Sequence, residues 1–433
     1  MDELREFWDR LCEKPGSLRG YYYLLFLTIA ETFFYFVRPV NNALGNGDNI
    51  DMVITLFWVV GLYFALPLFL NTVRLVDLVI YAAVTIFYYI SPAIYPITNQ
   101  FVQQTFPNFA LHVLPFYFVG LALGFRRDKE ALLHISRLQI LMTLLFTLLG
   151  MTGWFNSSMS GEQMAVSYSL LLPTMYELYY VDRYRRRNDL IFFLIGLAQI
   201  LMFGTRGPLV CMMAFVAGYM LQNFRNNSVL AINTLLGLGV FYIFLRPIML
   251  VLMNLTRLIG LSTRVFESYL DDALVNYHNA SGREHLHDVL WERITNDSGG
   301  IGYGLGSDRL LGFRWDENMH YAHNLVYEVW MDFGLYIGSA VLLLLLFFII
   351  RTALKSLGQA RFNLFLMLLV FSIVHNMLSG SYLQDYQIYL FIGYCVSILR
   401  ANKDTAEGEE NEEEDMTLVV IDDDKTPETL SQQ

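Results

Sequence analysis

Apolar residues in this chain are gathered into blocks of about twenty residues, the length at which a helix crosses the roughly 30 Å of hydrocarbon in a bilayer. The 433 residues are 55% hydrophobic and only 16% charged, which is too little charge for a soluble globule of this size. We therefore predict an all-α polytopic membrane protein with about twelve transmembrane helices. The predicted spans lie near 20–38, 50–70, 75–95, 107–125, 133–155, 162–181, 189–204, 207–224, 229–253, 323–349, 361–378 and 382–400.

The connections between the apolar blocks alternate in charge along the chain. Basic residues occur in every second connection, at Arg74, 126–137, 183–187, Arg225 and 351–361, whereas the connections at 39–49, 96–106, 156–161 and 379–381 contain no Lys or Arg. Loops on the cytoplasmic side carry the excess of Lys and Arg. The pattern therefore predicts cytoplasmic N- and C-termini and one long loop on the outer side.

This topology divides the chain into parts with different roles. They are a cytoplasmic interfacial segment (1–19), transmembrane helices one to nine (20–253), the large outer loop (254–322), transmembrane helices ten to twelve (323–400) and a cytoplasmic tail (401–433). The tail is acidic and lacks aromatic residues, so we predict that it is disordered. The net charge of −11 argues against nucleic acid as a partner. Cys12, Cys211 and Cys395 are too far apart in this topology to form a disulfide framework.

Every basic residue predicted outside or at an outer edge is an arginine. These are Arg38, Arg206, Arg246, Arg257, Arg264, Arg283, Arg293, Arg309 and Arg314. Arg206 stands just before Pro208, which suits the first turn of a helix that starts at the outer face. The positive dipole end and free N–H groups of that helix would lie beside the guanidinium and form an anion site. The alternative is an interfacial arginine that reaches toward lipid headgroups.

Two further motifs lie on the same predicted side. His323 and Asn324 open the tenth span, where a neutral imidazole could take a proton from a sugar hydroxyl, or the pair could be a polar cap. Ser281-Gly282-Arg283 precedes a glycine-rich stretch, Gly302 to Gly306, and an arginine fork can bind a diphosphate bidentately. The loop histidines His278, His285 and His287 lack a Cys or acidic partner for a familiar zinc site, so we expect no metal and no other cofactor.

The ordered set of these motifs resembles the O-antigen ligase and O-antigen polymerase superfamily of bacterial envelope polysaccharide enzymes. The resemblance rests on Thr205-Arg206-Gly207, on Ser281-Gly282-Arg283 followed by Trp291, on Gly302 to Gly306, and on His323-Asn324 followed after nine residues by Gly334. It covers roughly 204–346 in detail and the rest of the chain only through hydropathy and span number. It implies a multi-pass protein of the bacterial inner membrane that transfers a glycan from an undecaprenyl-diphosphate carrier at the periplasmic face without a metal.

The resemblance also implies roles for individual residues. Arg206 and Arg283 would grip the diphosphate and stabilise leaving-group charge, and His323 would be the base on the acceptor hydroxyl. We assign substrate-binding roles to Asn324, Arg264, Gly304, Gly306 and His320. The expected partners are the lipid-linked donor, a glycan or lipid-linked acceptor and the lipid bilayer, and a chain-length regulator and a flippase are candidate partners.

Four functions remain open at this stage. We favour a polymerase of lipid-linked repeat units, such as those of O-antigen in lipopolysaccharide. A ligase that passes finished glycan to lipid A-core or another acceptor needs the same donor site, so the motifs do not separate the two. A lipid-linked oligosaccharide flippase would be expected to have two related halves, and we find no internal repeat. A scaffold or chain-length protein would not need Arg206 and His323 at outward helix ends.

Overall fold

The computed structural model describes residues 72–125, 129–149, 163–203, 206–224, 283–297, 300–310, 321–359 and 361–401, with isolated positions between 247 and 257. The predicted spans near 20–38, 50–70 and 229–253, most of the large outer loop and both predicted cytoplasmic ends lie outside the described residues. Every regular element within these ranges is a helix. Four of the helical segments are long and apolar enough to cross a membrane: Leu75–Ile94, Pro96–Leu123, Leu325–Ser356 and Arg361–Ser379. The described part of the chain is thus an α-helical membrane protein, as its hydropathy predicts.

The helices are numbered here in chain order. The first group is α1 (Leu75–Ile94), a 3-10 turn (Pro96–Thr98), α2 (Asn99–Asn108), a π-helical turn (Phe109–Val113), α3 (Phe116–Phe125), α4 (Lys129–Leu149), α5 (Gln163–Ser169), α6 (Leu171–Tyr184), α7 (Arg187–Phe203) and α8 (Arg206–Phe224). The second group is α9 (Arg283–Glu292) with a π-helical turn (Arg293–Asp297), α10 (Leu325–Ser356), α11 (Arg361–Leu369), a π-helical turn (Val370–Val374), α12 (His375–Ser379) and α13 (Gln387–Arg400).

The segment 96–106 differs from its prediction as an outer connection, because it is helical and runs on into α3. Its polar residues hide an amphipathic pattern: Phe101 and Val102 are buried, whereas Gln103 and Gln104 are exposed. A helix that buries one apolar stripe and exposes the rest keeps a low average hydropathy. This explains why the segment is not recognised from hydropathy alone.

Helices α3 and α13 form the closest helix pair of the described core. A Cβ atom on Gly120 would meet the backbone of Leu390 and Tyr394, and one on Gly393 would meet the backbone of Tyr117. Small residues of this kind let two helix backbones approach closely in a membrane, where packing rather than the hydrophobic effect holds helices together. The two glycines therefore fix the register of α13 against α3.

An ion pair ties three helix ends together at the predicted cytoplasmic side. Arg400, at the end of α13, donates from both terminal guanidinium nitrogens to the carboxylate of Asp77 in α1, each at 2.7 Å. The hydroxyl of Tyr117 in α3 donates to the same carboxylate at 2.6 Å. Bidentate pairs of this kind are among the strong charge-assisted hydrogen bonds. We call Asp77, Tyr117 and Arg400 the inner lock.

A second buried ion pair joins α4, α6 and α7. Nε of Arg137 donates to the Glu177 carboxylate at 3.0 Å, and a terminal nitrogen of the same guanidinium donates to Asp189. Both carboxylates are fully buried, and the guanidinium carbon lies 5.1 Å from the ring centroid of Phe192. Three helices that are far apart in sequence are thus joined by one arginine.

Helix α10 is broken at Gly334, where φ is +82°. In an unbroken helix, Leu335 N would donate to the carbonyl of Met331. Here Leu335 N donates to Gly300 O at 3.0 Å, and Met331 O accepts instead from Tyr303 N at 2.8 Å. Backbone groups of the glycine-rich loop 300–306 thus form the hydrogen bonds that α10 loses at the break. These bonds attach the loop directly to α10.

The loop can approach the break closely because the residues that meet there are glycines. A Cβ atom on Gly302 would meet the backbone at Asp332 and Gly334, and one on Gly334 would meet the backbone at Gly300 and Gly302. The two segments are therefore in backbone contact, with no room for a side chain between them. This contact holds residues 300–310 against the outer part of α10.

Candidate functional site

The predicted base and its neighbour stand where α10 begins. Asn324 is the N-cap: its side-chain oxygen accepts from Val326 N at 2.9 Å and from Tyr327 N at 3.4 Å. Its side-chain nitrogen donates to the carbonyl of Met377 in α12 at 3.1 Å. His323 has φ of +52°, a left-handed conformation that a non-glycine residue adopts only when its surroundings hold it there. The start of α10 is therefore fixed in position.

Helix α9 packs along the first turns of α10. The ring of His287 stacks on Tyr327 with the centroids 4.5 Å apart, and Trp291 lies against Trp330 at 5.7 Å. Arg283 is the first residue of α9, one turn before His287, so the helix begins beside the start of α10. The Arg283 side chain itself lies outside what the structure describes.

Helix α8 begins at Arg206, where the sequence places the start of an outer-face helix. A Cβ atom on Gly207 would meet the hydroxyl of Tyr168, and the ring of Tyr168 stacks on His375 in α12 with the centroids 3.8 Å apart. Two residues after His375, the carbonyl of Met377 accepts the Asn324 hydrogen bond. Contacts through α12 thus join the start of α8 to the start of α10, although the Arg206 side chain is not among those described.

The structure describes only two of the four remaining predicted substrate-binding residues. Arg264 and His320 lie outside the described residues. Gly304 and Gly306 are described and buried, and both have positive φ. A Cβ atom at either position would meet the ring of Tyr95 or Phe101, so these glycines have a packing role against the start of the α2 region. Their role in substrate binding stays a prediction.

Glu328 and Asp332 in α10 have no role predicted from the sequence. Asp332 is buried and accepts from Gly306 N at 2.9 Å, Ser307 N at 3.3 Å and the Tyr382 hydroxyl at 2.5 Å. Glu328 is also buried and accepts from the Ser381 hydroxyl and from Tyr382 N at 3.1 Å. The two carboxylates therefore join α10 to the loop after α12 and to residues 306–307. Their spacing of one helical turn in an apolar helix is the signal that could have indicated this.

Arg309 also had no predicted role beyond its place among the outer arginines. Its side chain is only 12% exposed, and its terminal nitrogen lies 3.8 Å from Glu328. Burial alone would lower the pKa of Arg309, but the carboxyl groups around it raise the pKa above the usual value; these belong to Asp308, Glu328, Asp332 and Asp385. The guanidinium is therefore a permanent buried cation close to the start of α10.

The rings next to Arg309 connect it to His323. The guanidinium carbon lies 5.1 Å from the ring centroid of Phe101 and 5.5 Å from that of Tyr321. The Tyr321 ring in turn lies 3.6 Å from the His323 ring. The preceding residue, Asp308, accepts a hydrogen bond from Ala322 N at 2.8 Å. No local pattern in the sequence indicates these contacts.

Among the residues that the structure describes, no group of three or more His, Cys, Asp or Glu side chains is arranged to hold a metal ion. Comparisons of the chain with protein-family models, curated proteins and solved structures found no match. The class that the described helices define is an α-helical membrane protein. Its buried polar cluster, which consists of Asp308, Arg309, Glu328 and Asp332, lies beside the first turns of α10.

Proposed function

We propose that this chain is a glycosyltransferase that polymerises undecaprenyl-diphosphate-linked oligosaccharide units at the periplasmic face of the bacterial inner membrane. The observation that carries this proposal is the arrangement of three helix starts. Helix α9 begins at Arg283 and packs along the first turns of α10, which follows His323. Helix α12 contacts both the start of α10 and Tyr168, which lies beside the start of α8 at Arg206. Helix N-termini present free N–H groups and a positive dipole end, and arginine matches the geometry of phosphate. The arrangement suits a diphosphate beside a base.

The proposed reaction uses these groups in one displacement. The acceptor hydroxyl oxygen forms a bond to the anomeric carbon of the donor glycan while the bond from that carbon to the diphosphate oxygen breaks. His323 takes the hydroxyl proton, and the diphosphate leaves with the electron pair. Arg206 and Arg283 stabilise the charge that develops on the leaving group, and electrostatic stabilisation of this kind commonly accelerates a reaction more than any other effect in an active site. No metal takes part in this scheme.

An apolar groove supports a lipid-linked donor. Its lining includes Phe116, Leu132, Ser169, Phe371 and Tyr386. Ser169 follows Tyr168, the residue that contacts Gly207 at the start of α8. One residue of the groove lining is therefore adjacent in sequence to a residue that contacts the start of α8. An isoprenoid tail in this groove would bring its diphosphate toward the helix starts.

The proposal includes the topology from which it began, with twelve spans and both termini in the cytoplasm. Reporter fusions after Arg187 and within residues 254–322 are expected to report opposite faces of the inner membrane. A fusion pair that reports the same face would overturn both the topology and the periplasmic site.

The function is tested by deleting the gene and analysing the surface glycan after complementation. Arg206→Ala, Arg283→Ala and His323→Ala should each abolish polymer while the protein stays in the membrane. Arg351→Ala is the matched control and should restore a normal ladder, because Arg351 is an exposed arginine near the C-terminal end of α10, at the predicted cytoplasmic side. A normal ladder from all three site variants would refute the assignment.

The same experiment separates the polymerase from the ligase, which would use an identical donor site. Loss of a polymerase leaves one repeat unit on the final acceptor, whereas loss of a ligase leaves finished polymer on its lipid carrier. Activity of the purified protein should survive EDTA, and strict dependence on a divalent ion would contradict the scheme above.

A further inference from the structure

Two consecutive residues hold the segment that ends in His323. Asp308 accepts a hydrogen bond from Ala322 N at 2.8 Å, and the guanidinium of Arg309 lies over the ring of Tyr321. The Tyr321 ring lies 3.6 Å from the imidazole of His323. The backbone and the side chain before His323 are therefore both in contact with the short helical turn that follows the glycine-rich loop. We call Asp308 and Arg309 the outer clamp.

We propose that the outer clamp, acting through Tyr321, positions the His323 imidazole for proton transfer. This inference rests on the proposed function of His323 as the base. Asp308 and Arg309 are positioning residues in this scheme, because they act through the segment before His323. The motif resemblance assigns no role to them or to Tyr321.

The outer clamp is attached to a rigid part of the fold. The residues just before it, Gly306 and Ser307, donate their backbone N–H groups to the buried carboxylate of Asp332. The guanidinium of Arg309 is held between the rings of Phe101 and Tyr321, with Glu328 on its edge. The clamp is thus attached to the outer part of α10, which is also the helix that His323 precedes. His323 and the outer clamp therefore belong to one packed unit.

His323 needs such support because its backbone is in the left-handed conformation. A left-handed conformation at a non-glycine residue costs on the order of 1 kcal/mol, so the segment would relax if it were not held. A base must also point at the hydroxyl that it deprotonates, and a misplacement of about 1 Å can lower a rate on the order of a hundredfold. The hydrogen bond to Ala322 N opposes backbone relaxation, and the Tyr321 ring restricts rotation of the imidazole.

The test compares two arginines that undergo the same change. Arg309→Lys keeps the charge of the outer clamp but removes the planar face over Tyr321, whereas Arg400→Lys makes the same change in the inner lock. We expect Arg309→Lys and Tyr321→Ala to lower kcat by about ten- to a hundredfold, with an unchanged KM for the donor. Tyr321→Phe, which keeps the ring, should restore kcat. Arg400→Lys should leave kcat per folded molecule unchanged.

A second readout is independent of catalysis. Diethyl pyrocarbonate modifies accessible imidazoles, and peptide mass spectrometry can follow its reaction with His323. The rate at His323 should rise severalfold in Tyr321→Ala and Arg309→Lys but not in Arg400→Lys or Tyr321→Phe. This measurement uses the full-length protein in nanodiscs, with the thermal unfolding midpoint recorded for every variant.

The outcomes separate this inference from the proposed function. A fully active His323→Ala variant would refute the function, whatever the reagent shows. An inactive His323→Ala together with normal kcat and normal modification in Arg309→Lys and Tyr321→Ala would refute only the positioning role. The role is also refuted if Tyr321→Ala lowers the residual rate of His323→Ala by the same factor as it lowers the wild-type rate, because residues that act through His323 have no further effect once it is gone.

Discussion

The inner lock and the outer clamp each contain one largely buried arginine, and they use it differently. Arg400 donates from both terminal nitrogens to Asp77 at 2.7 Å, so its guanidinium is well satisfied. The terminal nitrogens of Arg309 are buried with no hydrogen-bond partner in the described part of the chain, and Glu328 lies 3.8 Å away. A buried donor without a partner is destabilising. The comparison indicates that the inner arginine stabilises the fold, whereas the outer one is kept for its position next to Tyr321.

The largest expected effect is on the outer side, at Gly334. Gly334→Ala forces an alanine into a positive φ and places its Cβ against the backbone of Gly300 and Gly302, so we expect a loss of about 3 kcal/mol or more in stability and loss of polymer. Gly358→Ala is the matched control, because φ there is +83° but no atom lies within 4 Å of the added Cβ. Thermal unfolding of both variants gives the comparison. Equal destabilisation of the two would contradict the contact between the loop and the break.

The next effect should be on the inner side and should involve stability alone. Arg400→Gln leaves the fully buried Asp77 carboxylate without its bidentate partner, so we expect a loss of about 3 kcal/mol. The double variant with Asp77→Asn should lose less than the sum of the two single variants, because the second change removes the unpaired charge. The measurement is the unfolding midpoint together with the polymerisation rate per folded molecule. A fall in that rate would show that the two regions are not separate.

A smaller effect is expected at Tyr382, which joins the loop after α12 to the outer carboxylates. Tyr382→Phe removes the hydroxyl that donates to Asp332 at 2.5 Å, and a buried acceptor that loses its donor costs about 1–3 kcal/mol. We expect that loss of stability and a severalfold lower rate. Tyr394→Phe removes a hydroxyl that donates to the neutral carbonyl of Arg361 at 3.1 Å and should leave the rate unchanged. The two rates, each per folded molecule, test whether the carboxylates of α10 support the site.

The smallest effect is expected at the cap of α10. Asn324→Ala removes the N-cap acceptor and should cost about 1 kcal/mol. Asn324→Asp keeps the acceptor but cannot donate to Met377 O, so its difference from the wild type in unfolding and in rate measures the bond to α12, whereas the difference between the two variants measures the cap. If Asn324→Asp and Asn324→Ala behave alike, the donor to Met377 matters and the cap does not.

The sequence predicts the long apolar helices well and the short irregular segments poorly. The predicted spans near 75–95, 207–224 and 361–378 agree closely with α1 (Leu75–Ile94), α8 (Arg206–Phe224) and the segment Arg361–Ser379, because uninterrupted apolar residues mark them directly. The helix at 99–108 was not predicted, since Asn99, Gln103 and Gln104 lower its average hydropathy. Local composition therefore identifies uniformly apolar helices more readily than amphipathic ones.

The site shows the same limit for a different reason. The starts of α8 and α10 are predictable, because the Pro208 and Asn324 signals lie within one turn of each helix start. The inner lock joins residues 323 positions apart, and no periodicity links them. The outer clamp likewise depends on which ring lies next to Arg309 after folding. Such contacts are set by the packing of distant segments, and one sequence carries no signal for them.

The break at Gly334 divides α10 into two helical pieces, and the orientation of one about the helix axis does not fix that of the other. The outer piece, Leu325 to Phe333, is held by its cap and by the glycine-rich loop, whereas the inner piece presents exposed apolar residues such as Leu343 and Leu344. One inserted residue turns everything beyond it by about 100° in a helix of 3.6 residues per turn. An insertion after Leu344 would therefore rotate only residues of the inner piece. The positions of His323 and its neighbours would not change.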